Sequence, residues 1–185
     1  SIQSYVELMT ERTLHLDSLL TDLTSIAFNE KASLDLDVID FEAEANPILY
    51  EYGQLNKSIV CDLTVLRAVE FVTDIKRLRS ILRNLVANSI KYYNPAQQSP
   101  FVRVSFTVED DKAILEVQDN GIGIQAQYAE KVFAMFFRGT NRSSGSGLGL
   151  YIVKAMVEKL DGEITLTSLP EKGSTFRIIL PNKKA

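Results

Sequence analysis

Residues 84–92 read Asn84-Leu-Val-Ala-Asn88-Ser-Ile-Lys91-Tyr92, and this stretch decides how the rest of the sequence is interpreted. It lies in a helix predicted over 75–92, which Asp74 can cap at its start. Apolar residues at helical spacing cover about half of that helix surface. They are Leu78, Ile81, Leu82, Leu85, Val86 and Ile90. The helix therefore has one apolar face that can pack in a protein core and a second face that is free to have another role.

Asn84, Asn88 and Lys91 fall in one line outside the apolar face, because they are four and then three residues apart. Amide oxygens are hard, neutral ligands that suit Mg²⁺ or its bound waters, and a lysine one turn later suits phosphate charge. The same trio also arises on an ordinary solvated helix face. On its own, the line leaves both interpretations open.

A second polar segment, Asp119-Asn-Gly-Ile-Gly123, follows a strand predicted over 112–118. A carboxylate at the end of a strand can accept a hydrogen bond from an exocyclic amine such as that of adenine. The glycines give flexible backbone that a base could approach closely. An Asp-Asn-Gly sequence is also common in plain turns, so this segment is ambiguous too.

A third segment, Gly145-Ser-Gly-Leu-Gly-Leu150, opens a helix predicted over 148–160. Glycines that lead into a helix N-terminus can form an anion site, because free N–H groups and the helix dipole favour phosphate. The spacing matches neither the dinucleotide fingerprint nor the Walker phosphate loop. Upstream, the aromatic run 133–138 precedes a small and polar stretch and is typical of a lid, although the aromatics could also be local core.

The remaining pattern favours an α/β protein of the α+β kind, with a mixed, mostly antiparallel sheet and helices packed on one face. The other predicted elements are a long helix over the first thirty residues, a helix over 40–53, and strands over 58–65, 68–73, 101–109, 163–168 and 175–180. The long helix is either a core helix of the same domain or half of a bundle. We favour the bundle and divide the chain into 1–32 and 33–185.

Composition excludes several classes of protein. The 185 residues are 45% hydrophobic and 24% charged, with a net charge of −4 and no apolar tract long enough to cross a bilayer. Scattered basic residues argue against a nucleic-acid partner, because affinity for a phosphate backbone needs clustered Lys and Arg. The single cysteine, Cys61, fits a reducing compartment, and its apolar neighbours predict a small core residue.

Together and in this order, the segments resemble the ATP-binding catalytic domain of sensor histidine kinases, within the superfamily of gyrase, heat-shock chaperones and mismatch-repair ATPases. The resemblance covers residues 34–181. It includes an asparagine box at 84–92, glycine boxes at 119–123, 145–150 and 173–176, and an aromatic box at 132–138. Two departures stand out. Ser89 replaces a common alanine, and Ala134-Met135 replaces a common Glu-Pro.

The resemblance implies a Bergerat-type ATP-binding sandwich and assigns roles. Asn88 would ligate Mg²⁺ with help from Asn84, and Asp119 would bind the adenine amine. Lys91 would meet the phosphates, and Arg138 and Arg142 are candidates for the γ-phosphate. The full set assigned to the nucleotide is Asn84, Asn88, Lys91, Tyr92, Asp119, Gly121, Gly123, Phe133, Phe137, Arg138, Arg142, Gly145, Gly147, Leu148, Gly149 and Thr175.

The family phosphorylates a histidine on the first helix of a dimerisation hairpin. The single histidine, His15, lies in a segment that looks like the second helix of that hairpin. We therefore expect residues 1–32 to be that second helix, the acceptor to lie outside the sequence, and the isolated chain not to autophosphorylate. The resemblance further implies a response-regulator partner, a homodimeric parent and a cytoplasmic location, compatible with a membrane anchor elsewhere in the parent.

Two other functions stay open on the sequence. One is an ATPase or conformational clamp of the gyrase or chaperone kind, which uses a general-base glutamate on the asparagine-box helix. No glutamate occurs between Asp74 and Tyr93, so water activation is poorly provided for. The other is a degenerate domain that serves as a scaffold, which the intact boxes disfavour.

Overall fold

The fold was analysed in a computed structural model that describes residues 2–139 and 146–184. Within these ranges the helices are α1 Ile2–Lys31, α2 Phe41–Leu55, α3 Ile75–Lys91 and α4 Gly149–Lys159. The strands are β1 Leu36–Val38, β2 Val60–Arg67, β3 Val72–Asp74, β4 Phe101–Val108, β5 Lys112–Asp119, β6 Glu163–Leu169 and β7 Gly173–Pro181. Two single 3₁₀ turns, Ala126–Tyr128 and Lys131–Phe133, lie between β5 and α4.

A five-stranded sheet in the order β2-β4-β5-β7-β6 forms the centre of the fold. The β2–β4 pair is parallel and the other pairs are antiparallel, which confirms the predicted mixed, mostly antiparallel sheet. Alternate residues of the central strands are buried under the helices, as the period of two along a strand requires. The opposite face is polar, with an exposed ion pair between Arg177 and Glu116 at 3.0 Å. The helices therefore cover one face of the sheet.

Helix α3 is the central helix of the covered face. Asp74 caps its first turn by accepting a hydrogen bond from the Arg77 N–H at 3.1 Å, as the sequence predicted. All the apolar residues that were assigned to its inner face are buried. Helix α4 packs beside α3 and contributes Ile152, Val153, Met156 and Val157 to the same core.

The small strands differ from the sequence prediction. The strand predicted over 68–73 is reduced to Val72–Asp74, and it pairs with β1, which was not predicted. The segment before it makes isolated contacts instead: the Ala68 N–H donates to Val108, and the Phe71 carbonyl accepts from Ile39. Apolar character at 68–71 therefore reflects burial of Phe71 rather than strand pairing. Cys61 is half-buried against the core.

Helix α1 leaves most of its apolar side chains in solvent. Its residues Ile2, Tyr5, Val6, Met9, Leu14, Leu16 and Leu20 are each more than half exposed. Only its C-terminal part packs on the domain, where the Asn29 side chain donates to the Ala155 carbonyl of α4 at 3.0 Å. Helix α1 is therefore not a core helix of the domain that follows it. No helix in the described ranges meets the length and hydropathy needed to cross a membrane.

Arg77 joins the end of α1 to the start of α3. Its fully buried guanidinium donates to the carbonyl of Asn29 in the last turn of α1 and to those of Ala32 and Ser33 just after it, and it lies over the Phe28 ring. It also forms an ion pair with the buried Asp74 carboxylate. Burial acts to raise the pKa of Asp74, but two backbone N–H donors and the guanidinium outweigh it, so the pKa lies below its ordinary value.

Candidate functional site

The asparagine pair of α3 faces the start of α4. Asn84 donates its amide to the Ser80 carbonyl at 2.9 Å, which fixes the side chain. Its oxygen lies 2.9 Å from the position that a Cβ on Gly149 would occupy, and the Asn88 nitrogen lies 3.9 Å from it. Across residues 2–139 and 146–184, the Asn88 amide has no hydrogen-bond partner although it is half-buried. The Asn88 amide is therefore available to an external ligand.

Lys91 and Tyr92 follow at the end of α3. The Lys91 ammonium is exposed and lies 5.0 Å from the centre of the Tyr92 ring, a cation–π contact. The Tyr92 carbonyl accepts the Ile122 N–H at 3.0 Å, which attaches the loop after β5 to the end of α3. Tyr92 therefore lies beside the first glycine segment, and Lys91 lies next to Tyr92 with its ammonium in solvent.

Asp119 ends β5 with its carboxylate held by three neutral donors. One oxygen accepts from the N–H groups of Gly121, at 2.8 Å, and Ser174, at 3.3 Å. The other accepts from the Ser89 hydroxyl at 3.1 Å. Burial raises the pKa of this carboxyl, and the three hydrogen bonds offset that effect only in part. A carboxylate whose pKa is raised by burial, and whose partners among the described residues are all neutral, is a candidate functional group.

Gly121 and Gly123 are needed by the protein's own backbone. A Cβ on Gly121 would lie 2.4 Å from the Tyr92 oxygen. A Cβ on Gly123, which has a φ of 66°, would lie 2.0 Å from the Leu169 oxygen. The space beside both glycines is thus filled by backbone, so the two glycines let the loop pack against Tyr92 and Leu169.

The turn between β6 and β7 supports this loop, a feature that the sequence analysis missed. The Glu171 N–H donates to the Ile122 carbonyl at 2.8 Å, and the Glu171 carboxylate accepts from Asn94 at 2.8 Å. Ser168 accepts the Ile124 N–H at 2.8 Å. Gly173 has a φ of 97° and packs on the Asp119 backbone. Of these residues, only Gly173 gave a signal in the sequence, as part of the last glycine box.

The aromatic box packs in two directions. Phe133 meets Phe176 of β7 edge-on at 6.4 Å between ring centres, and Phe137 meets Tyr128 at 5.5 Å. Gly147, with a φ of 73°, has no room for a Cβ because the Phe136 backbone is 2.8 Å away. Phe133 and Phe137 are therefore local anchors, and the second glycine box packs on the aromatic box. Arg138 is exposed.

Helix α4 begins at Gly149 with no side-chain cap from the described residues. No described side chain therefore occupies the N–H groups of its first turn, and these groups could bind an anion. Leu148 has a fully buried side chain, and its N–H donates to the Ser146 hydroxyl at 3.1 Å. That hydroxyl also bonds Asp22 of α1. The predictions for Arg142 and Gly145 lie outside the described residues.

Thr175 requires a correction. It pairs with Gln118 and Thr167, whereas Asp119 pairs with Ser174. Because successive residues of a strand point to opposite faces, Thr175 lies on the open face and Ser174 on the helix-covered face with Asp119. Of the two residues, Ser174, which is buried, is therefore the one that lies on the same face as Asp119.

The donor set fits Mg²⁺ held together with a nucleotide rather than a metal held by the protein alone. No group of three His, Cys, Asp or Glu residues that could hold a metal occurs in the described ranges. Mg²⁺ usually keeps waters and takes few protein ligands beside substrate phosphates. Within the described residues the Asn88 amide has no hydrogen-bond partner and the start of α4 has no side-chain cap, an arrangement that would fit such a partial site.

The fold and the segments of this site are those of an ATP-binding domain. Residues 73–184 match the family described as "Histidine kinase-, DNA gyrase B-, and HSP90-like ATPase", and the chain belongs to this family. Within it, the chain is similar over nearly its whole length to the ATP-binding modules of sensor histidine kinases, as the relatives and structural neighbours below indicate.

Two relatives illustrate the match. The chain is 30% identical over 190 residues to the sensor histidine kinase MtrB of Mycobacterium tuberculosis, which covers 98% of this chain and 33% of MtrB. It is 37% identical over 116 residues to the aerobic respiration control sensor protein ArcB of Escherichia coli, covering 60% of this chain and 14% of ArcB. The chain thus spans about a third or less of the length of these curated relatives.

Two solved structures have the same fold. Full-length ShkA in complex with AMPPNP superposes with a TM-score of 0.81 and 25% identity, covering 99% of this chain and 39% of ShkA. The Acinetobacter baumannii histidine kinase AdeS gives a TM-score of 0.77 at 23% identity, covering 97% of this chain and 84% of AdeS. The AdeS match, at that identity, supports the fold alone.

Proposed function

We propose that this chain holds Mg·ATP and presents the γ-phosphate to a histidine that lies outside these residues, as part of a protein-histidine kinase. The observation that carries the proposal is the convergence of three features beside the covered face of the sheet. These are the Asp119 carboxylate, the Asn88 amide and the N-terminus of α4, the last two without a side-chain partner or cap within residues 2–139 and 146–184. The family match and the nucleotide analogue named for the ShkA complex support it.

Asp119 would recognise the base. Its carboxylate is a strong acceptor, and its three internal donors leave acceptor capacity unused, since an ionised carboxylate offers about four lone-pair sites. The exocyclic amine of adenine would take one of these sites. Tyr92 would flank the nucleotide from the end of α3. The glycine segment after Asp119 would hold this arrangement by packing on Tyr92 and Leu169.

Asn88 would ligate Mg²⁺, with Asn84 acting through a water, and the α4 N-terminus and Lys91 would hold the phosphates. The ion, when bound, neutralises phosphate charge that builds up during transfer. Asn84 is oriented for this role by Ser80. Gly149 lets the start of α4 approach the two asparagines, because a side chain at 149 would lie too close to the Asn84 oxygen. Arg138 and Arg142 would contact the γ-phosphate.

Phosphoryl transfer depends mainly on positioning and charge neutralisation. In the proposed step a ring nitrogen of the acceptor histidine forms a bond to the γ-phosphorus as the bond to the bridging oxygen breaks, and ADP leaves. His15 is not the proposed acceptor. Residues 1–32 would form the second helix of a dimerisation hairpin, whose exposed apolar side chains would pack in a homodimeric bundle.

The phosphoryl group would then pass to an aspartate of a response-regulator receiver domain. These steps belong to a longer parent protein, because the chain covers only part of its relatives' lengths. The proposal places the module in the cytoplasm, with any membrane anchor in another part of the parent.

The test is transfer of label from γ-³²P ATP to the natural protein that contains this chain. We expect a label that is lost in acid and stable in alkali, the behaviour of phosphohistidine. Asn88→Ala should abolish it, because the amide that would hold Mg²⁺ is gone. Asn46→Ala, on the exposed face of α2, is the matched control and should retain it. Label that survives Asn88→Ala, or steady ATP hydrolysis without label, would contradict the kinase proposal.

A further inference from the structure

Ser89 lies in the middle of α3, between Asn88 and Ile90, and is 3% exposed. A serine inside a helix usually points to solvent or donates to the backbone carbonyl oxygen one turn earlier. The Ser89 hydroxyl does neither of these. It crosses from α3 to the end of β5 and donates to Asp119 at 3.1 Å.

The Ser89 bond completes the fixation of the Asp119 carboxylate. Both backbone donors, Gly121 and Ser174, bind one oxygen. Among the described residues, the donor to the second Asp119 oxygen is the Ser89 hydroxyl, which reaches it from α3. With both oxygens anchored, the plane of the carboxylate is set, and so is the direction of its remaining lone pairs.

We propose that Ser89 is a positioning residue for base recognition, which orients Asp119 so that the protein prefers purine triphosphates that carry a 6-amino group. This inference rests on the proposed function. It adds a selectivity element at a position where the resemblance leads one to expect alanine. Ser89 would act through Asp119, without touching the nucleotide itself.

The prediction concerns a ratio of two affinities. ATP carries the 6-amino group, and purine riboside triphosphate lacks it but is otherwise the same. If Ser89 aims Asp119 at that amine, Ser89→Ala should weaken ATP binding by about five- to tenfold, the effect of losing one ordinary hydrogen bond. Binding of purine riboside triphosphate should change by less than about twofold, because Asp119 has no amine to bind in that complex.

The experiment is calorimetric titration of the wild-type chain and Ser89→Ala with both nucleotides in the presence of Mg²⁺. Ser105→Ala is the control, since Ser105 lies on the open face of β4 and away from Asp119. The ratio is measured on folded protein, so a general loss of stability in Ser89→Ala does not alter its meaning. If Ser89 had a structural role alone, its loss would weaken the binding of both nucleotides by a similar factor.

The outcomes separate this inference from the function on which it rests. A collapse of the ATP preference in Ser89→Ala supports the positioning role. Equal weakening of both nucleotides, or an unchanged preference, overturns it while leaving ATP binding intact. A wild-type chain that binds neither nucleotide overturns the proposed function and this inference together.

Discussion

Asp74 and Asp119 are two carboxylates at the ends of strands, and the protein treats them in opposite ways. Asp74 is fully buried, accepts N–H groups from Asp35 and Arg77, and is paired with the Arg77 guanidinium. Asp119 is half-buried and accepts three neutral donors. The pKa of Asp74 is lowered, whereas that of Asp119 is raised.

The difference teaches how a structural charge and a functional charge can be distinguished. At Asp74 a cation of the same chain satisfies the carboxylate, so the pair joins α1 to α3 and leaves nothing for a ligand. At Asp119 neutral donors fix the geometry but do not balance the charge. Such a carboxylate favours an external donor, which is the condition for a binding site.

Breaking the Asp74 pair should have the largest effect on stability. Arg77→Met removes the guanidinium but keeps a long apolar side chain, and it leaves a buried carboxylate and several carbonyl groups of the α1 end unpaired. We expect a loss of about 3–5 kcal/mol in the free energy of unfolding, the usual consequence of removing one partner of a buried pair. Denaturant unfolding followed by circular dichroism measures it.

The matched control is Arg79→Ala, two residues along the same helix. Arg79 forms an ion pair with Glu44 at 2.6 Å, but its side chain is 45% exposed. A change within about 1 kcal/mol is expected, because exposed ion pairs contribute little. Equal losses in the two variants would show that the buried pair has no special role.

A smaller effect on the free energy of unfolding, of opposite sign, is expected from replacing Asp119. Asp119→Asn keeps an acceptor for the Gly121 and Ser174 N–H groups and removes a charge that burial disfavours. The free energy of unfolding at neutral pH should therefore be unchanged or higher than in the wild type, even though the proposed ATP contact is lost. A clear loss of stability would place Asp119 in the structural class with Asp74.

The smallest effects are in the pH dependence, and the two residues should differ in sign. An unfolded aspartate has a pKa of about 3.9. The lowered pKa of Asp74 gives stability that is present above this value and lost as pH falls through the folded-state pKa. The raised pKa of Asp119 gives a contribution that is present below about 3.9 and lost as pH rises through its folded-state pKa.

Unfolding free energies of Asp119→Asn and Asp74→Asn, measured from pH 3 to 6, check these signs. Relative to the wild type, the stability of Asp119→Asn should rise with pH and that of Asp74→Asn should fall. Parallel curves for the two variants would mean that the carboxylates have similar environments.

Much of the fold was predictable because residues close together in the sequence determine where each of these elements forms. The apolar stripe and Asp74 cap give α3, and the glycines before Leu150 give the start of α4. The strand β1 was not predictable, since three exposed residues carry no period and take their pairing from β3. Arg77 gave a signal that was overlooked: it is four residues before Ile81 and so lies on the buried face of the helix.

The site was predictable to the level of segments. The boxes pointed to the asparagines and Asp119 as candidates, and the structure brings their segments together, but contacts between distant segments needed the folded chain. Ser89 and Asp119 are thirty residues apart, and no local pattern reports their bond. The choice between Ser174 and Thr175 depends on the register of β7 against β5, because a shift of one residue reverses the face of the sheet.

The central claim is that Asp119 and Asn88 form the base and metal ends of one Mg·ATP site. Calorimetric titration of this chain with a non-hydrolysable ATP analogue, with and without Mg²⁺, tests it most directly. The account predicts Mg²⁺-dependent binding that weakens by about tenfold to a hundredfold in Asp119→Asn, the effect of losing a charge-assisted hydrogen bond. Asn88→Ala should remove the Mg²⁺ dependence. No binding by the wild type, or unchanged affinity in both variants, would contradict it.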